Sequence, residues 1–198
     1  MKNRKPICGV GINDADYAIH KYATVNGKYK LIWKCPYYVV WVRMLHRCYS
    51  EKWLTKYPTY RGCTVSDEWL VFSNFKQWME TQNWEGKHLD KDLLIQGNKI
   101  YSADTSVFVE QRINSFTTDS AKTRGKCLIG VSWFKPLSKF QARCRNPFTG
   151  KQEHLGFYDD ELDAHLVWRK RKHELACELA ELCNDRRLAE ALKTRYSS

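Results

Sequence analysis

No two of the chain's eight cysteines stand three residues apart, so the paired C-x-x-C spacing that announces a zinc site is missing. No apolar run approaches the ~20 residues of a membrane span, and the lysine-rich start is not followed by the apolar stretch of a secretion signal. The expectation is a soluble intracellular protein with no membrane partner, whose cysteines stay out of disulfides. Gly9 and Gly11 are not followed by Gly-Lys-Ser/Thr at phosphate-loop spacing, which removes the commonest nucleotide-binding signature. There is no internal repeat and no low-complexity tract.

What is present is aromatic and basic. The 198 residues suit one domain or two small ones, and an apolar share of 43% with eight tryptophans is ample for a core. A formal net charge of +11 makes a polyanion the expected partner, with anionic membrane surfaces as the rival. The cysteines can serve as small buried side chains. A scattered zinc site from Cys8, Cys35, Cys48 and Cys63, with His46, is the remaining use of thiols in this half of the chain.

Gly9 to Tyr17 predicts tight turns and no regular element. Tyr22–Val25 and Tyr29–Trp33, separated by Asn26-Gly27, predict a hairpin. Pro36 opens a helix whose Val40, Trp41, Met44, Leu45 and Cys48 share a side, while Arg43 and Arg47 share another. A second helix is expected from Ser66, with Asp67 and Glu68 in its first turn and Trp69, Phe72, Phe75, Trp78 and Met79 on its apolar face. Two such helices form a mutual core most simply; a base-stacking role would need their rings exposed.

Residues 88–114 carry the polar groups of interest. A strand bearing His88, Asp90 and Asp92 would show all three on one face, Gly97-Asn98 would make the return turn, and Lys99–Tyr101 would run back alongside. A histidine, carboxylates and an asparagine on one hairpin could hold a divalent ion and activate water for phosphodiester hydrolysis. The structural alternative is a charged strand end making surface ion pairs. Thr117 to Lys126 lacks periodicity and reads as a linker able to lie on phosphates.

The most informative stretch begins at Gly130. Gly130–Phe134, Lys139–Arg145 and Gln152–Tyr158 are short, alternating and divided by turn residues, which predicts a three-stranded antiparallel meander. Phe140, Ala142 and Cys144 would point one way, and Gln141, Arg143 and Arg145 the other. A helix follows, capped by Asp159 or Asp160, with Leu162, Ala164 and Leu166 beginning an inward stripe and Leu175, Leu179 and Leu182 continuing it. The run Arg169–Lys172 would be a solvated or phosphate-facing turn, and Arg187–Tyr196 a closing helix.

Gly130-Val131, Lys139-Phe-x-Ala142, Leu155-Gly-x-Tyr158 and the acidic helix start resemble the plant ethylene-response-factor (APETALA-type) DNA-binding domain. The resemblance implies that the open sheet face lies in the major groove of double-stranded DNA. That face would present Ser132, Phe134, Arg143, Arg145, Gln152 and His154. Ser132 and Phe134 stand where the family has arginines, and His154 where it has tryptophan, so the plant sequence preference does not carry over. Over nearly the whole chain there is a further resemblance to phage-encoded HNH or homing-type endonucleases with an APETALA-type domain. It rests on Gly9–Tyr17, Cys35-Pro-Tyr-Tyr38, Met44-Leu-x-Arg-Cys-Tyr-Ser50, Glu68-Trp69, Leu89-Asp-Lys-Asp92 and Gly97-Asn-Lys-x-Tyr-Ser102.

That second resemblance implies His88 or Asp90 at the first catalytic or metal position and Asn98 at the central asparagine. One Mg²⁺ or similar ion on Asp90 or Asp92, with His88 as general base and Asn98 orienting the strand, would nick one strand; a homodimer would cut both. The family's final histidine or asparagine ligand has no counterpart, and Asp104, Thr105, Ser106 and Asn114 are the nearest polar residues. Two functional readings follow. One is a metal-dependent DNA endonuclease acting in the cytoplasm of an infected host cell. The other is a non-catalytic DNA-binding regulator, or an inhibitor of a host protein, on a decayed nuclease scaffold. The expected architecture is α+β: an N-terminal helical and β-hairpin part over 1–116 with a variant HNH-like core, a linker over 117–126, and over 127–198 a three-stranded antiparallel sheet packed on a C-terminal helix.

Overall fold

The computed structural model describes residues 5–118 and 126–197. It is a mixed α+β protein of two compact units, Met1–Phe108 and Val109–Ser198. The expected linker falls mostly outside the described residues. No described helix is long and apolar enough to cross a membrane.

The first unit opens with tight turns, where Ile7 and Gly11 form an isolated bridge and Cys8 and Gly9 have positive φ. Gly11 lies flat against Leu45 and Trp41, leaving no room for a Cβ. The hairpin follows as β1 (His20–Val25) and β2 (Lys28–Lys34), antiparallel. Asn26 and Gly27 turn it with φ of 52° and 70°, the two positive values that the tight hairpin turn requires. Pro36 at the first turn starts α1 (Pro36–Tyr49), which buries Trp41, Met44, Leu45 and Cys48, and α2 (Glu51–Lys56) follows.

The second expected helix is divided. Asp67–Leu70 is a 3-10 turn, and α3 begins only at Phe72 (Phe72–Glu80). The break comes from the N-terminal turns: Ile12 donates to the Leu70 carbonyl at 2.8 Å and accepts from the Phe72 amide at 3.0 Å, holding Val71 extended. Asp14 then accepts from the Ser73 amide at 2.9 Å, a cap supplied by distant sequence. Ser66 makes no side-chain cap bond. The apolar faces of α1 and α3 do form one core, with Trp41, Trp69, Phe72 and Phe75 buried and Trp41 Nε1 donating to the Trp69 carbonyl at 2.7 Å. Burial on this scale rules out base stacking by Trp41 and Trp69.

The remaining strands of this part are short: β3 (Thr64–Val65), β4 (His88–Asp90), β5 (Ile100–Tyr101) and β6 (Val107–Val109). β3 pairs with β5 in parallel, and β4 pairs with β6.

In the second unit α4 (Gln111–Thr117) precedes the meander of β7 (Val131–Phe134), β8 (Lys139–Arg145) and β9 (Gln152–Tyr158), antiparallel in the order β7-β8-β9. Then come α5 (Glu161–Glu181) and α6 (Arg186–Arg195), capped by Asp160 and Asp185, each accepting from two amides of its helix. The inward stripe of α5 differs from expectation. Leu162 and Leu166 are 55% and 50% exposed, and Leu182 also faces out, whereas Ala164, Trp168, Lys172, Leu175 and Leu179 are buried. The helix approaches the sheet through the small Ala164 against Val131 and Ala142, which turns both early leucines away. Gly130, at φ 82°, sits against the Trp168 ring with no space for a Cβ. Sheet and helix are also tied by Arg171, whose guanidinium bonds Glu153 at 2.8 and 3.1 Å.

Candidate nucleic-acid interface

The open face of the C-terminal sheet is set by strand register. Arg143 pairs with His154, Arg145 with Gln152, Ser132 with Gln141, and Phe134 with Lys139. Directly opposed residues project to the same side, so all six residues expected from the sequence share one face. α5 covers the other face, over Ala142 and Cys144, both fully buried.

One more residue joins the face that alternation had not named. Along β9, period two from Gln152 and His154 would next point to Gly156. Leu155 is an extra residue in the register, so Phe157 stands opposite Gln141 instead. Phe157 packs against Phe134 at 5.0 Å and against His154 at 4.6 Å between ring centroids. One end of the face is thus aromatic and the other carries Arg143 and Arg145.

The Arg143 guanidinium lies 3.5 Å from the Ser132 hydroxyl, and both arginines are exposed. His154 accepts the Gly156 amide at Nδ1 over 3.1 Å, which leaves its proton on the outward Nε2. The carboxylate of β9, Glu153, belongs to the helix side, where Arg171 and Asn146 hold it below the ordinary glutamate range.

Beside the arginines the unit opens into a cleft of about 490 Å³, with Arg112, Lys172 and Gln152 also on its walls and no carboxylate among the described residues that line it. Lys172 was expected to be solvated but is only 8% exposed. Its ammonium donates to the Phe116 carbonyl at 2.6 Å and lies over the Phe116 ring at 3.5 Å. Burial lowers its pKa to about 8.

The polar residues at 88–98 are arranged differently from the expected hairpin. The return strand Ile100–Tyr101 pairs with Thr64–Val65 and not with His88–Asp90. The strand ends at Asp90, whose Oδ1 accepts from the Asp92 and Leu93 amides at 3.0 and 2.8 Å and so turns the chain. Asp92 is therefore off the strand and pairs with Lys91 at 3.0 Å. His88 is exposed. Asn98 pins the loop: its amide donates to the carbonyls of Lys91 (2.6 Å) and Ile100 (2.7 Å) and accepts the Ile100 amide at 3.2 Å.

Lys91, almost buried, donates to the Asn98 carbonyl at 2.9 Å. Asp90 is held above the ordinary aspartate range by burial first, then by the charge of Asp92. Arg47 reaches the same corner, donating to the Leu89 carbonyl at 3.2 Å and the Tyr101 hydroxyl at 3.4 Å. Asp90, Lys91, Asp92 and Asn98 thus come together as one bonded loop. Among the described residues, no three His, Cys, Asp or Glu side chains gather as a metal ion would need.

The same holds for the four cysteines proposed for zinc. Cys35, Cys48 and Cys63 are buried in the aromatic core of the first unit, and Cys8 is partly exposed. Burial, with Cys63 nearby, pushes the Cys48 thiol up to about 12.

Fold and face together define the class: an α+β protein whose C-terminal unit presents a cationic, aromatic-flanked sheet face. Compared with family models, with curated proteins and with solved structures, the chain gives no match.

Proposed function

We propose that this chain is a DNA-binding protein whose C-terminal sheet lies against duplex DNA. The observation that carries the reading is the single open face bearing Arg143, Arg145, Gln152, His154 and Ser132, with no carboxylate of the paired strands turned to that side. Arginines there reach phosphates and guanine edges, Gln152 and His154 offer donors for base edges, and Phe134 with Phe157 gives an apolar end suited to a thymine methyl. The resemblance to the APETALA-type domain points the same way.

The test is fluorescence anisotropy on a mixed-sequence duplex over a salt series. Each phosphate contact contributes a slope of about −0.9 in log K against log salt. The Arg143→Gln/Arg145→Gln protein should bind at least about tenfold more weakly at 0.1 M salt, with a slope shallower by up to about two. Unchanged affinity and slope would remove the face from the binding site.

A metal-dependent nuclease is the second reading, and one observation favours it. Asp90 is held above the ordinary carboxylate range by burial and by Asp92, an electrostatic strain that a cation would relieve. Nicking of supercoiled plasmid with Mg²⁺ or Mn²⁺, abolished by His88→Ala and Asp90→Ala, would establish it. Retarded but uncut DNA under every metal would leave a binding protein.

A further inference from the structure

The hairpin of β1 and β2 has no assigned role, and its surface is unusual. No residue from His20 to Lys34 is buried. Tyr29 is 75% exposed, Ile32 56% and Tyr22 50%, with Val25, Leu31 and Trp33 also open to solvent. Isolated two-stranded hairpins are marginal in water, and a cluster of large exposed apolar side chains marks an interaction surface. At the hairpin's base the Cys35 amide donates to the Ile19 carbonyl at 2.8 Å, and the His20 ring meets Tyr38 edge-on at 5.9 Å.

Charge selects the partner. The hairpin carries Lys21, Lys28, Lys30 and Lys34, and no Asp or Glu occurs anywhere between Asp16 and Glu51. The register sorts its two faces. Ala23 opposes Lys30, Val25 opposes Lys28, and Lys21 opposes Trp33, making a basic face on which the Lys21 ammonium lies 5.1 Å from the Trp33 ring centroid. Tyr22 opposes Leu31 and Thr24 opposes Tyr29, making a second face on which the Tyr22 and Tyr29 rings stack at 5.3 Å. A two-stranded ribbon fits the ~12 Å major groove, and Lys21, Lys28 and Lys30 on one face with the two tyrosines on the other suit phosphates and base edges respectively.

We infer that this hairpin is a second DNA contact, a ribbon that enters a groove of the duplex with Lys28 and Lys30 on phosphates and Tyr29 at its tip. It rests on the reading that the partner is DNA, but not on the C-terminal sheet face being the site.

The test uses the full chain, the same duplex and the same salt series, comparing the parent, Lys28→Gln/Lys30→Gln and Arg143→Gln/Arg145→Gln. Both lysines are exposed, so their replacement leaves the core untouched. The hairpin variant should bind roughly ten- to a hundredfold more weakly at 0.1 M salt, with a slope shallower by nearly two. A parent that binds while the hairpin variant matches it in affinity and slope would overturn the inference and leave the sheet face standing. Loss in the hairpin variant alone would uphold the hairpin and remove the sheet face. A parent that fails to bind DNA would overturn both.

Two rival occupants are read alongside. If the hairpin variant dissociates a dimer seen by light scattering, yet binds DNA as the parent does, the ribbon is a contact between copies. If it loses only binding to phosphatidylserine vesicles, the ribbon faces a membrane. Either result overturns the inference.

Discussion

Replacing Lys172 with methionine removes a buried ammonium while keeping an unbranched apolar stem. In the folded chain burial lowers the Lys172 pKa to about 8 from the ordinary 10.5, with Cys144 opposing the shift and Arg195 adding to it. Between those two values the unfolded chain holds more protons at this site than the folded one, so the Lys172 contribution to stability rises with pH across that window. At one pKa unit per 1.36 kcal/mol, the whole window corresponds to roughly 3 kcal/mol.

At pH 7 the variant loses a hydrogen bond to the Phe116 carbonyl, worth about 1–2 kcal/mol, and the attraction of the Phe116 ring. It also escapes the cost of holding a charge out of water, so the two proteins should lie within about 2 kcal/mol of each other. Urea unfolding at fixed ionic strength, from pH 7 to 10, should show the parent gaining steadily on the variant above pH 8. Taking the difference cancels the titrating groups that do not interact with Lys172. A difference flat across that range would refute the reasoning, as would a Lys172 Cε resonance that titrates near 10.5.

Gly130→Ala should destabilise the C-terminal unit by several kcal/mol, since the added methyl meets the Trp168 ring at a positive φ; a lowered thermal midpoint would show it. Asn98→Ala removes three hydrogen bonds that hold the 91–100 loop and should cost about 1–3 kcal/mol. Faster hydrogen exchange across that loop is the readout. Asp14→Ala should cost about 1 kcal/mol by uncapping α3, and Ser66→Ala, at the position the sequence favoured, should not lower stability. The order of those two midpoints in thermal denaturation checks the assignment.

The sequence by itself determined what short-range chemistry controls. Asn26-Gly27 permits the two positive φ angles of a hairpin, Pro36 starts a helix, and Asp160 caps another. The three C-terminal strands are bounded by turn residues, and alternation assigns Arg143 and Arg145 to the side opposite Ala142 and Cys144. These features depend on residues within a few positions of one another, so period and turn chemistry reveal them.

Only the tertiary structure decided the rest, because it depends on partners far away in sequence. Val71 is extended because Ile12 bonds on either side of it, which no reading of residues 66–80 contains. Tyr101 follows Val65 in a parallel pair and not the strand of His88, since two-residue strands carry no pattern that names their neighbour. Phe157 reaches the open face because one extra residue in β9 shifts the alternation. Lys172 is enclosed because Phe116, Trp168 and Tyr196, from three helical segments, close around one basic side chain in a run of four. Its neighbours in sequence gave it to the solvent; long-range packing withdrew it.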